Sequence, residues 1–167
     1  MLSVRLSFLL TALAIGASAI SGCSTPTGDS PFGNFPGLEP SKPAETPARY
    51  TADELVGRWG VASFHKETDR ARTTAAATRQ CSKAYAIAKG PSGGVMMHLP
   101  DQRVPQEMRI KGTPDGKTFI GPAGEAGDVQ DREILSFDGR VLVLRYVDEQ
   151  TASRFGTMVY VRCGPRA

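Results

Sequence analysis

A period of two begins after Gly57 and recurs to the end of the chain. Trp59, Val61 and Ser63 alternate with Arg58, Gly60 and Ala62. Val141, Val143 and Val147 alternate with Leu142, Leu144 and Tyr146, and Phe155, Thr157, Val159 and Val161 with Gly156, Met158, Tyr160 and Arg162. Successive side chains of a strand point to opposite faces, so this spacing, rich in β-branched and aromatic residues, predicts strands. About eight are expected, near 58–65, 83–89, 94–99, 106–112, 117–121, 131–137, 140–147 and 155–163. Asp138-Gly139 predicts a hairpin of type I′, which needs positive φ at both central positions. Pro91-Ser92-Gly93-Gly94 and Pro114-Asp115-Gly116 predict two further turns. The fold class is therefore all-β. Short antiparallel strands with tight links suit a small closed up-and-down barrel, which exposes no strand edge; a β-sandwich is the alternative.

Two segments depart from this period. Thr51-Ala52-Asp53-Glu54 has the spacing of a capping box and predicts a short helical turn through Leu55, ended by Gly57. Glu67 to Gln80 is rich in alanine and threonine, carries Arg70, Arg72 and Arg79, and reads as a short helix or a mobile loop.

The N-terminal part has a different grammar. Arg5 is followed by an apolar stretch from Ser7 to Ile20, about 14 residues, short of the roughly 20 that cross a bilayer as a helix. This is the pattern of a cleaved export signal. The stretch ends in Ile20-Ser21-Gly22-Cys23, which resembles the lipobox of bacterial lipoproteins: an aliphatic residue, two small residues, then cysteine. The resemblance implies cleavage before Cys23, diacylglycerol on its thiol and an acylated amine. Two or more acyl chains hold a protein firmly where one does not. Ser24, in place of an aspartate, leans the expectation to the periplasmic face of the outer membrane. From Ser24 to about Arg49 lie six of the twelve prolines, with Gly28, Gly33 and Gly37 between them. Such a stretch builds no core and reads as a spacer, on which Phe32 and Phe35 are incidental aromatics or a small docking motif. The expected organisation is a signal peptide over 1–22, a lipidated tether over 23–50 and a β-barrel domain over 51–167.

Cleavage leaves 145 residues with 19 Lys+Arg against 17 Asp+Glu. That near balance, without basic blocks and with only 7% aromatics, does not indicate a nucleic-acid surface. Export places Cys81 and Cys163 in an oxidising compartment, where they are expected to form a disulfide.

Gly57-Arg58-Trp59, at the head of the first strand after a helical turn, resembles the Gly-x-Trp signature of lipocalins and related small calycin barrels. In that family the tryptophan plugs the closed end and an arginine of the final strand packs across it. The resemblance assigns those parts to Gly57, Trp59 and Arg162, and makes Glu67 to Gln80 a lid over the open end.

Catalytic chemistry is not legible. His65 and His98 have no second ligand at metal spacing, and oxidised Cys81 and Cys163 supply no nucleophile. Asp131 and Glu133 would share a strand face beside Asp128, as a calcium site, an acid–base pair or a solvated edge. Val95-Met96-Met97-His98-Leu99 is apolar on both faces, suited to core packing or to an irregular ligand. The expectation is a non-enzymatic envelope lipoprotein without cofactor or metal, membrane-bound through its lipid, whose barrel binds a protein partner or an apolar small molecule. A periplasmic protease inhibitor and a structural envelope lipoprotein are the alternatives.

Overall fold

The structure, a computed structural model, describes residues 46–164. The leader, Cys23, Phe32, Phe35 and most of the tether lie outside the described residues. Eight strands form one closed antiparallel barrel in sequence order. They are β1 (Gly57–Phe64), β2 (Tyr85–Lys89), β3 (Val95–Met97), β4 (Gln106–Gly112), β5 (Thr118–Gly121), β6 (Arg132–Phe137), β7 (Val141–Tyr146) and β8 (Thr157–Arg162). Closure is made by β1 on β8, in register from Trp59 opposite Arg162 to Phe64 opposite Thr157. This pairing excludes the sandwich. Among the described residues three α-helices accompany the strands: α1 (Ala52–Leu55), α2 (Arg70–Arg79) and α3 (Glu149–Phe155).

An up-and-down barrel has two distinct ends. The connections β1–β2, β3–β4, β5–β6 and β7–β8 gather at one, called here the mouth. The other carries α1 and the tight turns β2–β3, β4–β5 and β6–β7. The chain enters at this second end. Thr51 caps α1 in the expected box: its hydroxyl accepts from Glu54 N, and its own N–H donates to Glu54 Oε2 at 2.8 Å. The segment before it is already part of the fold. Arg49 N–H donates to Thr118 Oγ1 at 3.2 Å, Tyr50 packs edge-on against Phe137, and the Pro47 carbonyl lies against Gly112. Thr46 to Tyr50, expected as the end of the tether, are therefore packed against the barrel.

The inward-facing positions hold a continuous apolar core. Leu55, Trp59, Val95, Met97, Leu142 and Leu144 are all 0% exposed, with Ile87, Met108 and Ile120 at 2% or less. Val95 and Met97 are thus core residues. A void of ligand size would leave its lining accessible to water, and these side chains are not.

A second layer covers part of the outside. Ala62 and Phe64 of β1, Val141 of β7, and Val159 and Val161 of β8 pack with Ala77 of α2. This explains why β7 and β8 lack polar alternation: a strand covered on both faces reads as a near-continuous apolar run. Helix α2 sits very close to the wall because Gly60 has no side chain; a Cβ there would lie 1.9 Å from the Ala77 carbonyl oxygen. The Cys81–Cys163 disulfide, Cα atoms 5.5 Å apart, joins the turn after α2 to the residue following β8. The 67–80 segment is therefore helical and lies on the outer wall; it is not a lid over the mouth. It packs chiefly on β1 and β8, and alanines and threonines suit so close an approach.

Two local expectations are corrected. Positive φ at the β6–β7 hairpin is confined to Gly139 (+87°) and does not include Asp138. Asp138 N–H instead bonds the Val141 carbonyl, so the two-residue loop is Gly139-Arg140, with glycine first as in a type II′ turn. The Asp138 carboxylate braces it by accepting from Arg140 N and Val141 N. In the second case, β8 begins at Thr157, and Phe155 ends α3. That helix starts at Asp148, whose carboxylate accepts from Thr151 N at 2.8 Å, and stops at Gly156 (φ +70°).

Candidate functional site

At the closed end, the indole N–H of Trp59 donates to the Leu55 carbonyl at 3.0 Å, fixing the ring beneath α1. The Arg162 guanidinium lies 4.2 Å from its ring centroid. Arg162 Nε donates to Gly139 O at 2.8 Å, Nη1 to Val56 O at 2.9 Å and Nη2 to Glu54 O at 2.5 Å. One planar group thus ties the end of α1, the β6–β7 turn and the core tryptophan together. Gly57 leaves room for it, since a Cβ would lie 2.6 Å from Arg162 Nη1. The structure brings Gly57, Trp59 and Arg162 together as one packed unit. It is an architectural element with no open surface.

The acidic group over 128–133 separates. Asp131 is 0% exposed and accepts from Lys111 Nζ at 2.6 Å, and from the N–H groups of Gly127 and Asp128. Lys111 Nζ also donates to the carbonyls of Pro122 (3.1 Å) and Glu125 (2.8 Å). An ammonium nitrogen therefore occupies the place that a bound cation would take in this loop. Glu133 pairs on the outer face with Arg145 at 2.9 Å. Among the described residues no group of three or more acidic, histidine or cysteine ligands could hold a metal ion.

The mouth carries a polar cluster that the sequence did not announce. Arg132, first residue of β6, is only 4% exposed and points into the barrel. Its Nη2 donates to the His98 carbonyl, and its guanidinium lies 5.0 Å from the Tyr146 ring centroid. Its Nε is buried without a partner. Tyr85 and Tyr160 stand in the same group, with ring centroids 6.0 Å apart and both phenols within reach of the Arg132 charge. Tyr85 OH accepts from His98 N–H at 2.9 Å and lies 3.3 Å from His98 Nδ1. Burial pushes the Tyr85 and Tyr160 phenols above their ordinary range, so both keep their protons at neutral pH. His98 thus belongs to the mouth cluster, while His65 is exposed just after β1.

At the same end, α3 and the β3–β4 connection are joined by a bidentate ion pair. Arg154 Nη1 and Nη2 reach Asp101 Oδ2 and Oδ1 at 2.6 and 2.9 Å. Asp101 adopts a left-handed backbone (φ +60°). Cluster residues come from β2, β6, β7 and β8 and the β3–β4 connection, so only barrel closure assembles them. Arg132 sits between Asp131 and Glu133, where a charged strand end is the simplest reading, and nothing in sequence marks it as the inward one.

No family model, curated protein or solved structure matches the chain.

Proposed function

We propose that this chain is a lipid-anchored envelope protein, held through Cys23 at the periplasmic face of the outer membrane, whose barrel binds a protein partner. The reading is non-enzymatic. The leader ending in Ile20-Ser21-Gly22-Cys23 supports the anchor. The choice of a protein partner over a bulky apolar ligand rests on one observation: the barrel interior is filled by its own side chains, from Trp59 at the closed end to Tyr160 towards the mouth. An interior of that density admits no hydrocarbon chain without displacing them. The described chain begins at the closed end, opposite the mouth.

The test has three arms. Replacing Cys23→Ser should release a folded domain from the membrane fraction. An environment-sensitive apolar dye should show no saturable binding to the mature protein. Cross-linking in intact cells should give a discrete protein adduct. A membrane-bound Cys23→Ser protein overturns the anchor; saturable displacement of the dye by a long-chain lipid overturns the protein-partner reading. The inhibitor alternative needs a free N-terminal segment. Residues Thr46 to Tyr50 are tied to β4, β5 and Phe137, so any inhibitory segment would lie before Thr46.

A further inference from the structure

We propose that the mouth of the barrel is a carboxylate-binding site centred on Arg132. The inference goes beyond the partner-binding reading and does not depend on it.

The argument starts from how this protein treats its buried cations. Arg162, 9% exposed, has three backbone carbonyls on its fork and a tryptophan face beneath it. Lys111 is matched by the buried Asp131 and two carbonyls. Arg132 is more enclosed than Arg162, yet has one carbonyl, one ring face and a buried Nε with nothing to bond. A buried charge without a counter-charge is strongly unfavourable, and native proteins pair such groups or bring a ligand to them. The nearby carboxylates are committed elsewhere: Asp131 to Lys111, Glu133 to Arg145, and Asp101 to Arg154.

The other groups around Arg132 are donors. The hydroxyls of Tyr146 and Tyr160 make no hydrogen bond among the described residues, and the Tyr160 phenol stays protonated. Tyr85 OH is already engaged by His98, accepting from its N–H at 2.9 Å and lying 3.3 Å from its Nδ1, so the free phenols beside Arg132 are those of Tyr146 and Tyr160. A guanidinium edge with phenolic O–H groups beside it matches a planar, two-oxygen anion, and arginine forms its best hydrogen bonds to such a group in a bidentate fork. The packed core below excludes a long tail. The ligand is therefore a small carboxylate, either a free carboxylic acid or a carboxylate carried on a polypeptide. The Asp101–Arg154 pair ties α3 to the β3–β4 connection at this same end of the barrel, so parting it would widen access to the cluster.

The experiment uses the full mature protein, with acetate as one probe and a short peptide as the other, bearing either a free C-terminal carboxylate or its amide. The readouts are the nitrogen-edited resonance of the Arg132 side-chain N–H and the thermal midpoint, against chloride at equal ionic strength. Saturable shifts with millimolar acetate assign the site to free small acids. Shifts with the peptide acid alone, absent with its amide, assign it to a polypeptide carboxylate. Arg132→Met should fold and lose the response altogether, and Tyr160→Phe should weaken binding about tenfold, the scale of one charge-assisted hydrogen bond. Arg154→Ala should speed association without abolishing it. No saturable shift with either carboxylate, or an undiminished response in both Arg132→Met and Tyr160→Phe, overturns the proposal. So does an Arg132→Met protein that cannot fold, which would make Arg132 a structural group.

Discussion

Replacing Arg162→Met would test whether one side chain locks the closed end of the barrel. The side chain makes three hydrogen bonds to the carbonyls of Gly139, Val56 and Glu54 and covers the Trp59 ring. Hydrogen bonds to a charged group contribute about 1.5–3 kcal/mol each, but the freed carbonyls partly recover water at this end, so the three together are worth roughly 3–4 kcal/mol. The cation–π contact adds about 0.5–2 kcal/mol, of which methionine returns a part by packing on the same ring. The expected loss is about 3–5 kcal/mol, a large share of the roughly 5–15 kcal/mol typical of a domain. Arg162→Lys keeps the charge but not the planar fork, and should lose about half as much. Urea unfolding followed by Trp59 fluorescence measures both, since Trp59 is the only tryptophan. A loss under about 1 kcal/mol for Arg162→Met, or a lysine variant as stable as the parent, would refute the idea that the fork organises this end.

Further outcomes follow from the same geometry. Cys81→Ser with Cys163→Ser opens a link across 82 positions and should lower stability by up to about 4–5 kcal/mol in the chain-entropy model; the parent protein under reductant should fall to the same urea midpoint. Lys111→Met strands the fully buried Asp131 and should destabilise by about 3–5 kcal/mol, most of it recovered when Asp131→Leu is added, as read by a double-mutant cycle of chemical denaturation. The backbone N–H groups of Val141 and Arg140 hold the Asp138 carboxyl below the usual carboxylate range. A carboxyl depressed by folding contributes stability that is present above its unfolded pKa and lost as pH falls through its folded value. Thermal midpoints should therefore drop less steeply for Asp138→Asn than for the parent over about pH 5 to 3, and parallel curves would exclude the contribution.

Much of this architecture was legible along the chain because its causes are local. Strand positions follow from alternation, and the turns at 91–94 and 114–116 from proline and glycine. The capping box at Thr51 needs only a threonine and a glutamate three residues apart. Helix α3 was legible in principle, since Asp148 and Gly156 are ordinary start and stop residues. It was masked by the apolar run that follows. Arg162 over Trp59 was anticipated from the lipocalin resemblance, and the disulfide from the expected export and a count of cysteines.

The remainder depended on which face each residue takes when the barrel closes. Asp131 and Arg132 are neighbours in sequence; one turns outward to Lys111 and the other inward to the mouth. A period of two says that they differ, but not which is inside. Helix α2 could have covered the mouth or the wall, and its alanines and threonines suit either. Gly60, Cys81 and the doubly buried valines of β7 and β8 place it on the wall only once β1 and β8 are paired. The sequence by itself therefore determined most of the strand positions and the turns between them, because these arise from neighbours along the chain. Only the tertiary structure decided what the barrel holds: a packed interior at one end and an unpaired arginine among tyrosines at the other. Burial and charge compensation belong to groups that meet from distant strands, and no local pattern records them.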